Sequence, residues 1–166
     1  MKKFPHFNIN NMKFTIRFMF LLISLCMGFS ATVFAAQDSP IGLWQTISDT
    51  TGKPAGLVQI WEANGELEGK VIQIYKQDGD LPTDRCVHCS GDRFNQPIEG
   101  MTIMWSMQAR EGGVWNNGSI LDPKTGSIYH CKIQLADNGD RLYVRGYILM
   151  PLIGRTQYWN RMTNAR

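Results

Sequence analysis

In the second half of the chain, apolar and polar side chains alternate with a period of two, and each alternating run ends at a turn signal. Leu142, Val144 and Ile148 fall on one side, and Tyr143, Arg145 and Tyr147 on the other. Tyr129, Cys131, Ile133 and Leu135 likewise oppose His130, Lys132 and Gln134. A β-strand sends successive side chains to opposite faces, so this pattern calls for a sheet with one buried side. No stretch beyond residue 35 carries a convincing 3.6-residue apolar period. Runs of β-branched and aromatic residues predict strands over 42–47, 56–63, 66–76, 102–109, 113–121, 126–135, 140–149 and 154–161. The turns between them are explicit. Asn64-Gly65 and Asn138-Gly139 are hairpin signals, because both residue types accept positive φ at little cost. Asp122-Pro123-Lys124-Thr125-Gly126 and Asp49-Thr50-Thr51-Gly52-Lys53-Pro54 are turns in which proline presets φ.

Eight short strands joined by hairpins leave two exposed edges if the sheet stays open. Closure removes them, so the expected fold is all-β, an up-and-down barrel of about eight antiparallel strands, with a sandwich as the alternative. Gly42-Leu43-Trp44 supports the barrel. It resembles the Gly-x-Trp start of lipocalin-type barrels, where the tryptophan packs at the closed end beneath a late-strand arginine. Arg155 and Arg161 are the candidates for that arginine.

The N-terminal segment is of a different kind. Lys13 and Arg17 precede an apolar run from Phe18 to Phe29, and Val33-Phe34-Ala35 has the small-x-small pattern of a signal-peptidase site. Residues 1–35 therefore read as a signal peptide cleaved after Ala35, and 36–166 as a single domain. The apolar run is short for a membrane anchor, and no basic cluster follows it. Leu25 before Cys26 does not suit a lipobox, and no Arg-Arg pair directs the chain to the twin-arginine route. Met12 is an alternative start to Met1. The expected location is periplasmic or secreted, with no membrane span after cleavage.

Removing the leader changes the charge argument. The whole chain is +3, but Lys2, Lys3, Lys13 and Arg17 leave with the leader. The remaining domain has 13 Lys and Arg against 14 Asp and Glu, scattered along its length. The electrostatic footprint of a nucleic-acid binder is missing. Its five tryptophans, at 44, 61, 105, 115 and 159, are a large aromatic content for the size.

A long interruption at 77–101 separates the third and fourth strands and holds Cys86-Val87-His88-Cys89. In an oxidising compartment a structural Cys86–Cys89 disulfide is the leading reading. A redox dithiol lacks its usual helix N-terminus. A zinc site would need His88 joined in space by His130 or Cys131. Cys131, on an apolar strand face, reads as a buried thiol, with pairing to Cys86 or Cys89 as the alternative.

On the last strand Arg155, Gln157, Trp159 and Arg161 share one face. Two arginines, a glutamine and a tryptophan suit an anionic or sugar-like ligand, or else close the barrel by stacking Arg on Trp. Arg145, between Tyr143 and Tyr147, has the same two readings. No nucleophile elbow, His-Glu-x-x-His or phosphate loop is present, so no catalytic residue, metal site or cofactor is assigned.

Several of these segments together resemble a family. They are Gly42-Leu43-Trp44-Gln45-Thr46, Thr51-Gly52-Lys53-Pro54, Cys86-x-x-Cys89, Trp115 to Pro123, Gly126 to Tyr129 with Cys131, Val144-Arg145-Gly146-Tyr147, and Gly154-Arg155-Thr156-Gln157 before Trp159 and Arg161. Over about 42–161 the chain is similar to the bacterial exported family called domain of unknown function 2147. The resemblance implies a lipocalin-like barrel outside the cytoplasm and carries over no activity. The functional expectation is a non-enzymatic binding module for a small amphipathic ligand or an envelope partner. The alternative is a redox- or metal-linked stress protein acting through Cys86, His88 and Cys89.

Overall fold

The computed structural model describes residues 39–77 and 83–162. The expected leader and cleavage point lie outside the described residues. Eight strands follow in order: β1 (Gly42–Ile47), β2 (Pro54–Ala63), β3 (Glu66–Ile74), β4 (Thr102–Arg110), β5 (Val114–Asp122), β6 (Ser127–Ala136), β7 (Arg141–Tyr147) and β8 (Gly154–Arg161). Each pairs antiparallel with its sequence neighbours, and β8 pairs with β1. The barrel is closed and up-and-down, as the turn spacing predicts, and the sandwich is ruled out.

The hairpins use the residues that tolerate left-handed backbone. Asn64 and Gly65 join β2 to β3 at φ 54° and 80°. Between β6 and β7 the turn is a short 3-10 segment, Asp137–Gly139, with Asp137 and Asn138 at φ 51° and 55°. Two strands end earlier than the sequence reading. β3 stops at Ile74, where the Ile74 N–H turns to Glu99 Oε1 at 3.0 Å. β7 stops at Tyr147, and the apolar run 148–153 leaves the ladder.

Register and alternation fix the inward face. Cys131, Ile133 and Leu135 oppose Gly146, Val144 and Leu142, which in turn oppose Arg155, Gln157 and Trp159. Trp44, Ile60, Met104, Met107, Ile133 and Leu142 are fully buried. On β4, Ser106 takes φ 57° and the β3–β4 register shifts between Leu67 and Gly69, so Met107 opposite Leu67 and Met104 opposite Gly69 both reach the interior. Gly118 on β5 makes room for them: a Cβ there would sit 2.4 Å from Met107 Sδ and 2.5 Å from the Trp105 carbonyl oxygen.

The 83–101 connection packs as part of the core rather than hanging free. Its N–H groups at Cys86 and Ile98 donate to the carbonyls of Gln96 and Asp84, each at 2.9 Å. Cys86 and Cys89 are 0% and 5% exposed and cluster with Ile103 and Leu121. Ile103 and Leu121 lie on the strand face opposite Met104 and Ile120, so the connection covers the outside of β4–β5.

Cys131 is a free thiol with no exposed surface. Burial pushes it up to about 12 from an ordinary value of 9.0. Because the native state keeps a proton that the unfolded chain releases, this thiol favours folding fully below pH 9.0, and that contribution is lost as pH rises toward about 12. A Cys131→Ala variant is therefore expected to show a flatter fall in its urea midpoint over that alkaline range. In the wild type, a thiol reagent should modify Cys131 only under denaturing conditions.

Candidate functional site: the two ends of the barrel

The four residues that share a face of β8 divide between opposite ends of the barrel. Arg155 and Arg161 are six positions apart, roughly 20 Å along an extended strand. Their surroundings differ completely.

At the closed end, the Arg161 guanidinium lies 4.2 Å from the centre of the Trp44 ring. It also donates to three backbone carbonyls: Nε to Gly139 at 2.6 Å, Nη1 to Ile41 at 3.0 Å and Nη2 to Ser39 at 2.8 Å. The Trp44 indole Nε1 donates to the Pro40 carbonyl at 2.8 Å. The incoming chain, the β6–β7 turn and β8 are thus gathered on one cation–π pair. Each of the three Arg161 nitrogens donates to a backbone carbonyl.

At the other end the polar groups form a chain. The Trp159 indole Nε1 donates to Gln157 Oε1 at 3.1 Å, and Gln157 Nε2 donates to Asp49 Oδ2 at 3.1 Å. The Arg155 Nε makes an ion pair with the same Asp49 oxygen. Trp159 is 2% exposed, whereas the Arg155 side chain is 63% exposed. The chain therefore runs from the packed interior to water in three side chains and one carboxylate. Opposite Arg155, Gly146 lets the inward Tyr129 lie close: a Cβ at 146 would be 3.4 Å from Tyr129 Cβ. Asp49 escaped the sequence reading because it belongs to a turn whose Asp, Thr, Gly and Pro have a sufficient explanation as turn chemistry. Nothing local announces that its carboxylate meets a strand 106 residues later.

Arg145 belongs to neither end of the interior. It points outward from β7 and donates from Nη1 to Thr156 Oγ1 at 2.6 Å, from Nη2 to the Leu152 carbonyl at 3.2 Å, and from Nε to the Pro151 carbonyl. Its separation from the inward residues of β8 follows from strand parity: Val144 is inside, so Arg145 is outside.

Cys86 and Cys89 are joined as a disulfide with a Cα–Cα distance of 5.3 Å. Cys86 Sγ lies 3.2 Å from the Pro123 carbonyl oxygen, and a Cβ at Gly126 would meet the His88 carbonyl at 1.9 Å. The disulfide loop is seated directly on the β5–β6 turn, which only glycine at 126 permits. Arg93 from the same connection stacks 4.6 Å from the Trp105 ring. A reactive dithiol needs an exposed thiolate, which this packing does not provide. Cys131 faces the interior while the disulfide packs outside, so they do not approach as partners or as joint ligands. His130 instead stacks near Tyr147 at 5.6 Å. Among the described residues no group of three His, Cys, Asp or Glu side chains is placed to hold a metal ion.

Residues 42–161 match the bacterial family described as "uncharacterized protein conserved in bacteria", domain of unknown function 2147. The chain belongs to this family. This member of the DUF2147 family is also similar in structure to a protein of the human pathogen Helicobacter pylori described as belonging to the lipocalin family. The likeness has a TM-score of 0.65 at 18% identity, over 76% of this chain and 84% of the other. It shows the fold: a lipocalin-like barrel. No curated protein matches the sequence.

Two outcomes follow for this DUF2147 protein. Arg161→Ala strands three backbone carbonyls and removes the cation–π pair, and is expected to lower stability by about 2–4 kcal/mol. Arg161→Lys should recover less than half of that in urea unfolding, because an ammonium cannot serve three carbonyls in a fixed fork. Reduction of Cys86–Cys89 should open the 83–101 connection to limited proteolysis while costing about 2 kcal/mol or less, with far-ultraviolet circular dichroism unchanged.

Proposed function

We propose that this protein is an exported, non-enzymatic binding module whose open end receives the polar head of a small amphipathic ligand. The observation that carries the reading is the chain from buried Trp159 through Gln157 and Asp49 to exposed Arg155. An ion pair at the rim holds an arginine fork in place with a single carboxylate oxygen as partner. An incoming carboxylate, sulfonate or phosphate offers more acceptors than Asp49 does, and can take over both Arg155 and Gln157. The apolar part of such a ligand would lie against the inward Tyr129 and Ile120. A lipocalin-like barrel supports this, since barrels of about eight strands have room inside for side chains or one small ligand. Work outside the cytoplasm is supported by the leader-like N-terminus and by a buried disulfide, which suits an oxidising compartment.

Native mass spectrometry of the protein recovered from an exporting bacterium tests the reading directly, and the intact mass of the same sample reports cleavage after Ala35. Titration with an anionic naphthalene-sulfonate dye then locates the site. Arg155→Ala and Gln157→Ala are each expected to weaken dye binding, the arginine change by about tenfold or more. Equal dye affinity in the wild type and in both variants, with no co-purifying small molecule, rejects the proposal.

A further inference from the structure

The β7–β8 connection, residues 148–153, presents five apolar side chains to solvent. Ile148, Leu149, Met150, Leu152 and Ile153 are 63%, 82%, 50%, 85% and 60% exposed. A hairpin connection of this length is ordinarily polar, and a contiguous exposed apolar patch marks a contact surface.

Part of the backbone of this connection is paired within the hairpin. Pro151 has no N–H to satisfy. The Ile153 N–H donates to the Met150 carbonyl at 3.0 Å. The carbonyls of Pro151 and Leu152 both accept from the Arg145 guanidinium, which reaches up from the outer face of β7. Three successive carbonyls at the tip thus have partners within the hairpin. A protein partner would offer hydrogen bonds of its own and would not require this. A lipid surface offers few at depth, and every backbone group carried in unpaired is costly.

The charges beside the tip point the same way. Lys132 stands opposite Arg145 in the β6–β7 register, and Lys124 lies in the β5–β6 turn at the same end. Asp49 at this end is ion-paired with Arg155, and Asp84 with Lys76. A second copy docked through this tip would bring like charges together. Anionic headgroups complement them.

We propose that residues 148–153 form a membrane-contacting tip that inserts its apolar side chains into an anionic lipid surface, with Arg145 pairing the carbonyls of Pro151 and Leu152 at that tip. The contact is peripheral: among the described residues no helix is long and apolar enough to cross a membrane. The proposal is independent of the ligand at the mouth.

Flotation with vesicles of phosphatidylglycerol and phosphatidylethanolamine tests it, using the full chain and variants that share the same N-terminal region. The bound fraction of Leu149→Asp/Leu152→Asp is expected to fall roughly tenfold or more against the wild type. Its thermal midpoint should be unchanged, since both side chains are largely in solvent. Arg145→Gln keeps the apolar side chains but withdraws the fork from the carbonyls, and severalfold weaker binding is expected. Phosphatidylcholine vesicles and added salt should both reduce binding of the wild type. Equal flotation of wild type and the double variant overturns the proposal. So does a concentration-dependent dimer, lost in the double variant, in a protein that does not bind vesicles.

Discussion

The barrel depends on its closing seam. Elsewhere each strand pairs with its sequence neighbour, and all of these pairs except β3–β4 are joined by a short connection, which brings the two strands together at little entropic cost. β1 and β8 have no such link, and among the described residues their seam holds Trp44 opposite Arg161, Gln45 opposite Asn160 and the Met162 N–H donating to the Leu43 carbonyl at 2.8 Å. What the backbone ladder lacks, one side chain supplies. Arg161 stacks on Trp44 and ties the incoming segment and the β6–β7 turn to the last strand. The aromatic face and the guanidinium are both removed from much of their water, where such a pair counts for more than at an open surface.

Arg161 and its three carbonyl partners gather one end of the barrel, while the polar groups at the other end reach solvent. Asp49, Gln157 and Arg155 form a connected polar path at the rim, while Arg145 is withdrawn from it to the outside of the wall. Two arginines that look alike in sequence therefore do different work. Arg155 has a single carboxylate partner and most of its surface in water, whereas Arg145 is consumed in stabilising an apolar hairpin tip. The disulfide connection braces the same end from outside, through the β5–β6 turn at Gly126.

The fold was largely legible because β structure writes itself locally. Alternation over Tyr129–Leu135 and Leu142–Tyr147 specifies which side is buried, and Asn64-Gly65 specifies where the chain reverses. The misplaced strand ends also have local causes: the Ile74 N–H finds Glu99, and the Pro151 and Leu152 carbonyls find Arg145. The shared face of Arg155, Gln157, Trp159 and Arg161 was readable for the same reason. Their separation into a plugged end and a solvated end was not, because it depends on which distant segments arrive beside each one.

By itself the sequence determined the family resemblance, the antiparallel order of strands and turns, and the inward parity of β6, β7 and β8. All three follow from patterns no longer than a strand and its turn. Tertiary structure alone decided that Asp49 joins Gln157 and Arg155, that Arg161 rather than Arg155 covers Trp44, and that the cysteine loop seats outside the wall. Those pairings join residues up to 117 positions apart, Trp44 and Arg161. They are set by barrel closure, which no local pattern of side chains encodes.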